Sequence, residues 1–390
     1  MRIGVFGGSF DPVHKEHVAL ARAAVQSLAL DTLFIMPAYA PPHKKGKVLS
    51  SDSHRLEMCR LAFLHEKNVV VSDYEIAKQD VSYTYLTCQY FKEEYSQAEL
   101  FWLVGTDMLR DFPTWKNPEN ILSNATLAVC ARAEKSEWLQ KEQTDFIARF
   151  GKAFAVIDYH GADVSSTRIR VHAAAGEDIG AYVPPLVEKY ITENGLYRID
   201  GAKRALSLMK EERKAHVLRV AETAAKRAVG LQIPERKAVQ AALLHDCAKY
   251  PERCGALLDE FVLPDTWGEV PPSVAHQFAG AYLAEKVFGA DEEVVNAVRY
   301  HTSGRENMGL LEKLIFLADM VESGRNYDGV DVLRRLFWEN DTSLPIEKRL
   351  DACLSEALNR TVDYLQSKNA YVYPLTVRAA KYYEDKTNRE

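Results

Sequence analysis

The sequence lacks the features that mark several classes of protein. Its six cysteines form no CxxC pair, so they match neither a disulfide framework nor a zinc knuckle, and we expect buried, reduced thiols. There is no long run of lysine or arginine, and the formal net charge is −6. No apolar stretch approaches the roughly 18 to 20 residues of a spanning helix, and the N-terminus has no signal-peptide pattern. We therefore expect a cytoplasmic protein that binds neither nucleic acid nor membrane.

The length and composition are those of an ordinary globular chain with more than one domain. The chain has 390 residues, of which 47% are hydrophobic and 27% charged. That length is about twice the commonest domain size, so two domains are expected. We place them at residues 1–199 and 203–390, with a short junction between them. An oligomer is compatible with the sequence, which does not determine the oligomeric state.

The two halves differ in their hydrophobic pattern. In the first half, strands are predicted at residues 2–6, 32–36, 69–72, 100–104, 126–130 and 154–157, with helical patterns such as 14–29 and 53–65 between them. This alternation predicts a doubly wound, parallel α/β sheet of the Rossmann type, which binds ligands at the carboxyl ends of its strands. From residue 203 nearly every segment has helical spacing, so the second domain is predicted to be an all-α bundle.

The most specific local motif is GGSFDPVHKEH at residues 7–17, between the first strand and the first helix. Glycines let the backbone approach a phosphate, and the helix N-terminus offers unpaired amides to an anion. His14 and His17 are three residues apart and so share one face of that helix. The motif predicts a triphosphate cradle whose residues are Gly7, Gly8, Ser9 and Phe10 together with the two histidines.

This motif resembles the GGSFDPxHxGH signature of the nucleotidyltransferase superfamily, whose members transfer AMP or CMP from a nucleoside triphosphate. The resemblance implies that His14 and His17 are catalytic and stabilise the charge that builds on the α-phosphate. Glu16 stands where the superfamily usually has glycine. It places bulk and a negative charge beside the phosphate site.

Further segments are similar to those of bacterial nicotinate-nucleotide adenylyltransferases. They are PPHK at 41–44, HRLEM at 54–58, DYE at 73–75, SYT at 82–84, GTD at 105–107 and VSSTRIR at 164–170. In that family the Asp of the GxD motif serves the adenosine, and an aromatic residue at the place of Trp115 stacks on the pyridine ring. The remaining substrate-binding residues implied by the resemblance are Lys44, Thr84, Gly105, Asp107, Arg132, Ser166, Thr167 and Arg170.

The reaction implied is transfer of AMP from ATP to nicotinate mononucleotide, giving deamido-NAD and pyrophosphate, with Mg²⁺ held by the triphosphate. A preference for nicotinamide mononucleotide, or another transferase of the superfamily that uses phosphopantetheine, remains an alternative. The PPHK and SYT segments favour nicotinate mononucleotide.

The second half carries imidazole and carboxylate groups on or beside helical segments. Such groups can converge in the core of a helical bundle, where they suit divalent iron, manganese or cobalt. No CxxC pair accompanies them, which argues against a structural zinc site. The predicted metal ligands are His216, His245, Asp246, His276, His301 and Asp319.

The order H, HD, H, H, D resembles the HD superfamily of phosphohydrolases, and within it the di-metal bis(5'-nucleosyl)-tetraphosphatases. The resemblance implies two divalent metals, iron or manganese, bridged by Asp246. It also implies that Arg325 lies near substrate phosphate, although Ser323 replaces the usual proline of that segment. Lys249, four residues after His245, would point to the same site if both lie on one helix, and is a candidate catalytic residue that could meet a phosphate oxygen. The implied activity is symmetrical cleavage of diadenosine tetraphosphate to two ADP; the alternatives are another nucleotide substrate or a non-catalytic nucleotide-sensing module.

Overall fold

The structure is a computed structural model that describes residues 1–41, 48–131, 136–159, 161–339 and 345–388. The chain divides into two compact units. The first is built mainly from the N-terminal segment with residues 49–169 and 179–196, and the second from residues 170–178 and 197–390. The domain boundary expected between residues 199 and 203 stays a prediction. The structure differs from this boundary because residues 170–178, which precede it, belong to the second unit.

The first unit contains a six-stranded, wholly parallel sheet in the order β3-β2-β1-β4-β5-β6. Its central strand β1 is buried because both neighbours and the flanking helices cover it, and Ile3 and Val5 have no exposed surface. The predicted doubly wound α/β class is confirmed, and all six predicted strands are present. Their bounds are β1 Arg2–Gly8, β2 Thr32–Pro37, β3 Val69–Val71, β4 Glu99–Gly105, β5 Thr126–Ala131 and β6 Ala155–Asp158.

The helices of this half follow the strands as the hydrophobic pattern predicts. They are α1 Lys15–Ser27, α2 Asp52–Phe63, α3 Tyr74–Lys78, α4 Thr84–Glu94, α5 Thr106–Asp111, α6 Pro118–Asn124, α7 Ser136–Phe150, α8 Ser166–Ala175 and α9 Pro185–Glu193. The chain leaves β1 and β4, which are neighbours, at the same edge of the sheet. The strand order reverses between these two strands, and ligands of open α/β sheets bind at such a switch point.

The second unit is helical, as predicted, in every regular element assigned to its described residues. Its longer helices are amphipathic and bury small and aliphatic side chains in one core, including Ala221, Leu243 and Leu317. The helices are α10 Ala202–Ser207, α11 Glu211–Ala228, α12 Glu235–Leu244, α13 Pro251–Cys254, α14 Pro272–Lys286, α15 Glu292–Arg299, α16 Leu310–Val321, α17 Val330–Trp338, α18 Ile346–Ser367 and α19 Pro374–Asn388. Across the described part of the chain, no helix has both the length and the apolar character needed to cross a membrane.

Candidate functional sites

A cavity of about 330 Å³ lies in the first unit at the carboxyl ends of β1 and β4. The structure brings six of the predicted nucleotide-site residues to its wall, namely Gly7, Gly8, Ser9, Thr84, Asp107 and Trp115. The wall also includes residues to which the sequence assigned no role, among them Glu75, Ser82 and Asp111. Gly105 ends β4 and precedes α5, which carries Asp107 in its first turn.

Packing leaves little room for a side chain at the two glycines that begin residues 7–14, here called the β1 loop. A Cβ on Gly7 would lie 3.0 Å from Cζ2 of Trp102, and one on Gly8 would lie 3.0 Å from Cζ of Phe10. Phe10 is 2% exposed and packs edge-on against Phe6. Phe10 therefore supports the loop from the core side, while the glycine backbone faces the cavity.

His14 and His17 come together at the start of α1. His14 is the N-cap residue, and its backbone N–H donates to Nδ1 of His17 at 3.1 Å. The two rings are stacked with their centroids 3.6 Å apart, and the Phe10 ring lies 5.1 Å from that of His17. Two imidazoles at the positive end of a helix form a site suited to phosphate charge.

Arg55 holds the β1 loop from beneath and was not singled out by the sequence. It is fully buried, and its guanidinium donates to the carbonyl of Ser9 at 2.9 Å and to that of Ser50 at 3.1 Å. It also pairs with the Asp52 carboxylate. The signal that could have revealed it is an arginine at an apolar position of the helical pattern of α2.

Glu75 is a second buried charged residue on the cavity wall. Its carboxylate accepts a hydrogen bond from Thr87 Oγ1 at 2.7 Å, and 6% of the residue is exposed. Burial raises the pKa of this carboxyl, although hydrogen bonds from Thr87 and Ser82 act against the rise. Glu75 thus links α3, α4 and the segment between them beside the cavity.

The other predicted residues of this site are placed differently. Ser166 opens α8 and donates through Oγ to the Pro12 carbonyl at 2.9 Å, and Thr167 follows it in the first turn. Arg170 belongs to the second unit, where its guanidinium donates to Glu235 at 2.6 Å. The structure does not place Arg170 on the cavity wall. Lys44 and Arg132 lie outside the described residues.

In the second unit, five helical segments bring all six predicted metal ligands together. His216 lies on α11, His276 on α14 and Asp319 on α16, while His245 with Asp246 directly follows α12. His301 follows the end of α15. Two sets of three ligands have all their metal-binding atoms within 4.8 Å of one another. The first set is His216, His245 and Asp319, and the second is His245, Asp246 and His301.

Asp246 contacts three of the histidines in this cluster. Its Oδ2 is 3.2 Å from Nε2 of His245, and its Oδ1 is 3.2 Å from Nε2 of His276 and 3.6 Å from Nε2 of His301. His245 belongs to both sets of ligands, and in the first set His216 Nε2 is 2.9 Å from Asp319 Oδ1. The two oxygens of Asp246 thus face different histidines, which is compatible with the bridging role that the resemblance implies.

The histidines are oriented by hydrogen bonds from their outer nitrogens. Nδ1 of His245 donates to the Ala242 carbonyl at 2.6 Å, and Nδ1 of His301 donates to the Val298 carbonyl at 2.7 Å. Nδ1 of His216 lies 3.0 Å from the Glu322 carboxylate. Because a carbonyl oxygen only accepts, the first two rings carry their proton on Nδ1 and present Nε2 as a lone pair to the cluster.

The cluster has the burial and charge of a metal site. His245 and Asp246 are fully buried, and Nε2 of His216 and His245 with both Asp246 oxygens make no hydrogen bond. Burial alone would raise the pKa of the Asp246 carboxyl, but the histidines around it hold that pKa well below its usual range. Burial lowers the pKa of His276 to about 4, so its ring is neutral at pH 7. A buried group of imidazoles and ionised carboxylates fits divalent cations.

Positive side chains surround the cluster. Lys249 Nζ is 3.3 Å from His276 Nε2, and Arg325 contacts the Asp319 carboxylate. Burial lowers the pKa of the Lys249 ammonium. The helical spacing assumed for Lys249 is wrong, because α12 ends at Leu244 and a turn carries the chain onward.

Two further residues at the cluster were not identified from the sequence. Arg213, on the same helix as His216, contacts Oδ2 of Asp246 with its Nε. Arg219 donates to Glu322 at 2.6 Å and so fixes the carboxylate that orients His216. Burial by itself would raise the pKa of the Glu322 carboxyl, but its hydrogen bonds with His216 and Arg219 lower that pKa to about 2. Only the fold reveals these partners, because Glu322 is 106 residues from His216.

Comparisons with known proteins match the two halves of the chain to different families. Residues 5–172 match the cytidylyltransferase-like family, and residues 213–324 match the HD domain. A "Probable nicotinate-nucleotide adenylyltransferase" of Clostridium tetani is 35% identical over 197 residues, which cover 50% of this chain and 98% of that protein. The protein of the same name from Gloeobacter violaceus is 36% identical over 199 residues, covering 51% of this chain and 97% of that protein.

A solved structure described as a "predicted HD superfamily hydrolase involved in NAD metabolism", from Clostridium acetobutylicum, is 32% identical to this chain. The match covers 47% of this chain and 95% of that structure, with a TM-score of 0.40.

The two adenylyltransferase relatives are matched over nearly their whole length. Through its N-terminal α/β half the chain therefore belongs to the nicotinate-nucleotide adenylyltransferase family, and its C-terminal helical half carries an HD domain.

Proposed function

We propose that the first unit transfers AMP from ATP to nicotinate mononucleotide, giving deamido-NAD and pyrophosphate in NAD biosynthesis. Membership of the adenylyltransferase family carries this proposal, because the relatives are covered over nearly their whole length. The cavity supports it, since its wall joins the β1 loop to Asp107 and Trp115. Trp115 is 7% exposed and packs on Phe112, so it offers a rigid ring to a pyridine.

In this proposal the chain binds and orients two phosphorylated substrates and forms no covalent intermediate. The 5'-phosphate oxygen of nicotinate mononucleotide attacks the α-phosphorus of ATP, and pyrophosphate leaves with the electrons of the broken P–O bond. His14 and His17 stabilise the added charge on the α-phosphate, and Mg²⁺ accompanies the triphosphate. Ser166 and Thr167 begin a helix whose amides can hold the leaving phosphates. Lys44, Thr84, Gly105 and Arg132 keep the substrate-binding roles that the family resemblance implies. The role implied for Arg170 stays a prediction, since its guanidinium pairs with Glu235 in the second unit.

The test is a chromatographic assay for deamido-NAD with ATP, Mg²⁺ and nicotinate mononucleotide, beside nicotinamide mononucleotide. We expect His14→Ala to lower kcat by about 10²- to 10³-fold, the loss typical of removing one charge-stabilising group. An unchanged kcat would contradict the role of His14. Faster turnover of nicotinamide mononucleotide would replace the proposed substrate by the alternative.

We also propose that the second unit is a metal-dependent phosphohydrolase that cleaves diadenosine tetraphosphate symmetrically to two ADP. The convergence of six imidazole and carboxylate ligands in one buried cluster is the observation that carries the hydrolase proposal. The six ligands would hold two divalent ions, iron or manganese, which would supply a water nucleophile and neutralise phosphate charge. Lys249 and Arg325, with Arg213, place positive charge around the cluster, which favours a polyphosphate substrate.

This second proposal is tested with the full chain loaded with manganese or iron and given diadenosine tetraphosphate. We expect ADP as the sole product, and none with Asp246→Ala. Turnover of other nucleotides instead would retain the hydrolase and change its substrate. Nucleotide binding with no turnover of any nucleotide would favour the sensing module.

A further inference from the structure

Glu16 occupies the first turn of α1, between the two histidines of the β1 loop motif. In the signature that the motif resembles, this position is usually glycine. The Glu16 carboxylate accepts a hydrogen bond from the Tyr159 hydroxyl at 2.5 Å and another from the backbone N–H of Ala162 at 2.9 Å. Both bonds reach the same oxygen, Oε2, across more than 140 residues of sequence.

The partner segment is shaped to receive this carboxylate. A Cβ placed on Gly161 would lie 2.3 Å from Oε2 of Glu16 and 2.6 Å from the Tyr159 ring. No side chain therefore fits at position 161 while Glu16 keeps its place. The sequence carries glycine where the carboxylate needs the room, one residue before its backbone donor Ala162.

This segment leads directly into α8, whose first turn holds the predicted triphosphate ligands. The Val164 N–H donates to the Ala162 carbonyl at 2.9 Å, and the Ser165 hydroxyl accepts from the Arg168 N–H at 3.2 Å. Ser166 then bonds the Pro12 carbonyl at 2.9 Å. The entry to α8 is thus attached at two points, to the loop after β1 through Ser166 and to α1 through Glu16.

We infer that Glu16 is a positioning residue that fastens the entry of α8 to the first turn of α1. It keeps the amides of α8 at a fixed separation from His14 and His17, so that both can hold one triphosphate. Its carboxylate oxygen is occupied by two donors, which reduces the repulsion that an unpaired negative charge would exert on ATP. The inference rests on the proposed adenylyl transfer for its effect on ATP, while the attachment itself can be tested without it.

The experiment compares Glu16→Ala, Glu16→Gln and Tyr159→Phe in the full chain. Glu16→Ala loses both bonds, so we expect the KM for ATP to rise about tenfold while kcat and the KM for nicotinate mononucleotide change less than about twofold. The glutamine amide oxygen can still accept from both donors, so Glu16→Gln should restore most of the ATP affinity. Tyr159→Phe loses one bond and should lie between them. Glu119→Ala, an exposed glutamate in the first turn of α6, is the matched control.

Hydrogen exchange at the Ala162 amide gives a readout that does not depend on activity. We expect faster exchange in Glu16→Ala than in the unmodified chain, and near-normal exchange in Glu16→Gln. Equal exchange in all variants would overturn the attachment even if no AMP transfer is seen. A Glu16→Gln variant as defective toward ATP as Glu16→Ala would also overturn it, because charge and not attachment would then be the role of Glu16. If Glu16→Ala fails to fold, Tyr159→Phe must still raise both the KM for ATP and the exchange rate.

Discussion

At the scale of single residues, the first unit buries two ionisable side chains beside its cavity, Arg55 completely and Glu75 almost completely. Arg55 supports the β1 loop through backbone carbonyls, and Glu75, on the cavity wall, accepts a hydrogen bond from Thr87. A buried charged group stabilises a fold only while its partners remain, because the partners lose their solvation together with it. Each of the two residues therefore has a measurable consequence for stability.

Replacing Arg55 by methionine keeps much of the side-chain volume but removes every donor. The Ser9 and Ser50 carbonyls and the Asp52 carboxylate would lose their partner, so we expect a loss of about 3 kcal/mol in the free energy of unfolding. Urea unfolding followed by circular dichroism measures this. The control is Arg22→Met, which breaks the exposed pair with Glu66 and should cost less than about 1 kcal/mol. Equal losses in the two variants would contradict the supporting role of Arg55.

Glu75 gives a prediction for pH dependence. Its pKa in the folded chain is raised by burial, so as pH rises through the ordinary glutamate range the unfolded chain loses its proton before the folded one. That difference lowers the stability of the folded state at neutral pH relative to acid. Glu75→Gln cannot ionise, and its stability relative to the unmodified chain should increase between pH 4 and pH 7. Thermal unfolding at a series of pH values measures this, and a difference that shrinks over the same interval would refute it.

At the scale of elements, two helices of the second unit end in the same way. His245 follows the last residue of α12, and His301 lies two residues beyond α15; each ring donates from Nδ1 to the carbonyl three residues earlier. The imidazole thus satisfies a carbonyl at a helix C-terminus while its Nε2 points to the cluster. The bonds that occupy these carbonyls also orient two of the predicted metal ligands.

This arrangement predicts that metal ions stabilise the second unit. Since divalent ions would bind the folded cluster and not the unfolded chain, saturating manganese should raise the melting temperature, and chelation should lower it. At 100 times the dissociation constant the gain is about 2.7 kcal/mol. Differential scanning calorimetry measures the shift. Asp246→Asn should abolish it, whereas His14→Ala, in the other unit, should leave it intact. A shift of the same size in Asp246→Asn would place the binding elsewhere.

At the scale of the whole molecule, the two units do not divide the sequence at a single point. Val171, Ala174 and Ala175 of α8 lie in the core of the helical unit, although α8 begins with the predicted triphosphate ligands. A cut at the predicted boundary would remove these buried side chains from that core.

A fragment of residues 203–390 should therefore be less stable than the helical unit within the full chain. The loss of these three apolar side chains, with Ile199 and Ala202 of the same core, should cost at least about 2 kcal/mol and expose apolar surface. The test compares the melting temperature of the fragment with that of the helical unit in the full chain, and compares how much hydrophobic dye each protein binds. An unchanged melting temperature would show that the predicted boundary separates two independent cores.

The sequence by itself determined the classes of the two halves, the six strands and the chemical kinds of residue in each site. Strand and helix periods are local properties, and motifs such as GGSFDPVHKEH or the HD pair carry their chemistry within a few residues. The six predicted metal ligands could be named because their kinds and order resemble those of the HD superfamily. Lys249 lies beside the cluster as expected, but not on the helix that the spacing assumed, because α12 ends at Leu244.

Only the tertiary structure decided which side chains hold these motifs in place. Arg55 under Ser9, Glu322 behind His216 and Glu16 against Tyr159 are separated along the chain by 46, 106 and 143 residues. The pairing of Arg170 with Glu235 also spans 65 residues. No local sequence pattern reveals such partners, because the contact between them depends on how the whole intervening chain folds. Burial, which sets the pKa of Glu75 and His276, likewise exists only once distant segments have packed around the group.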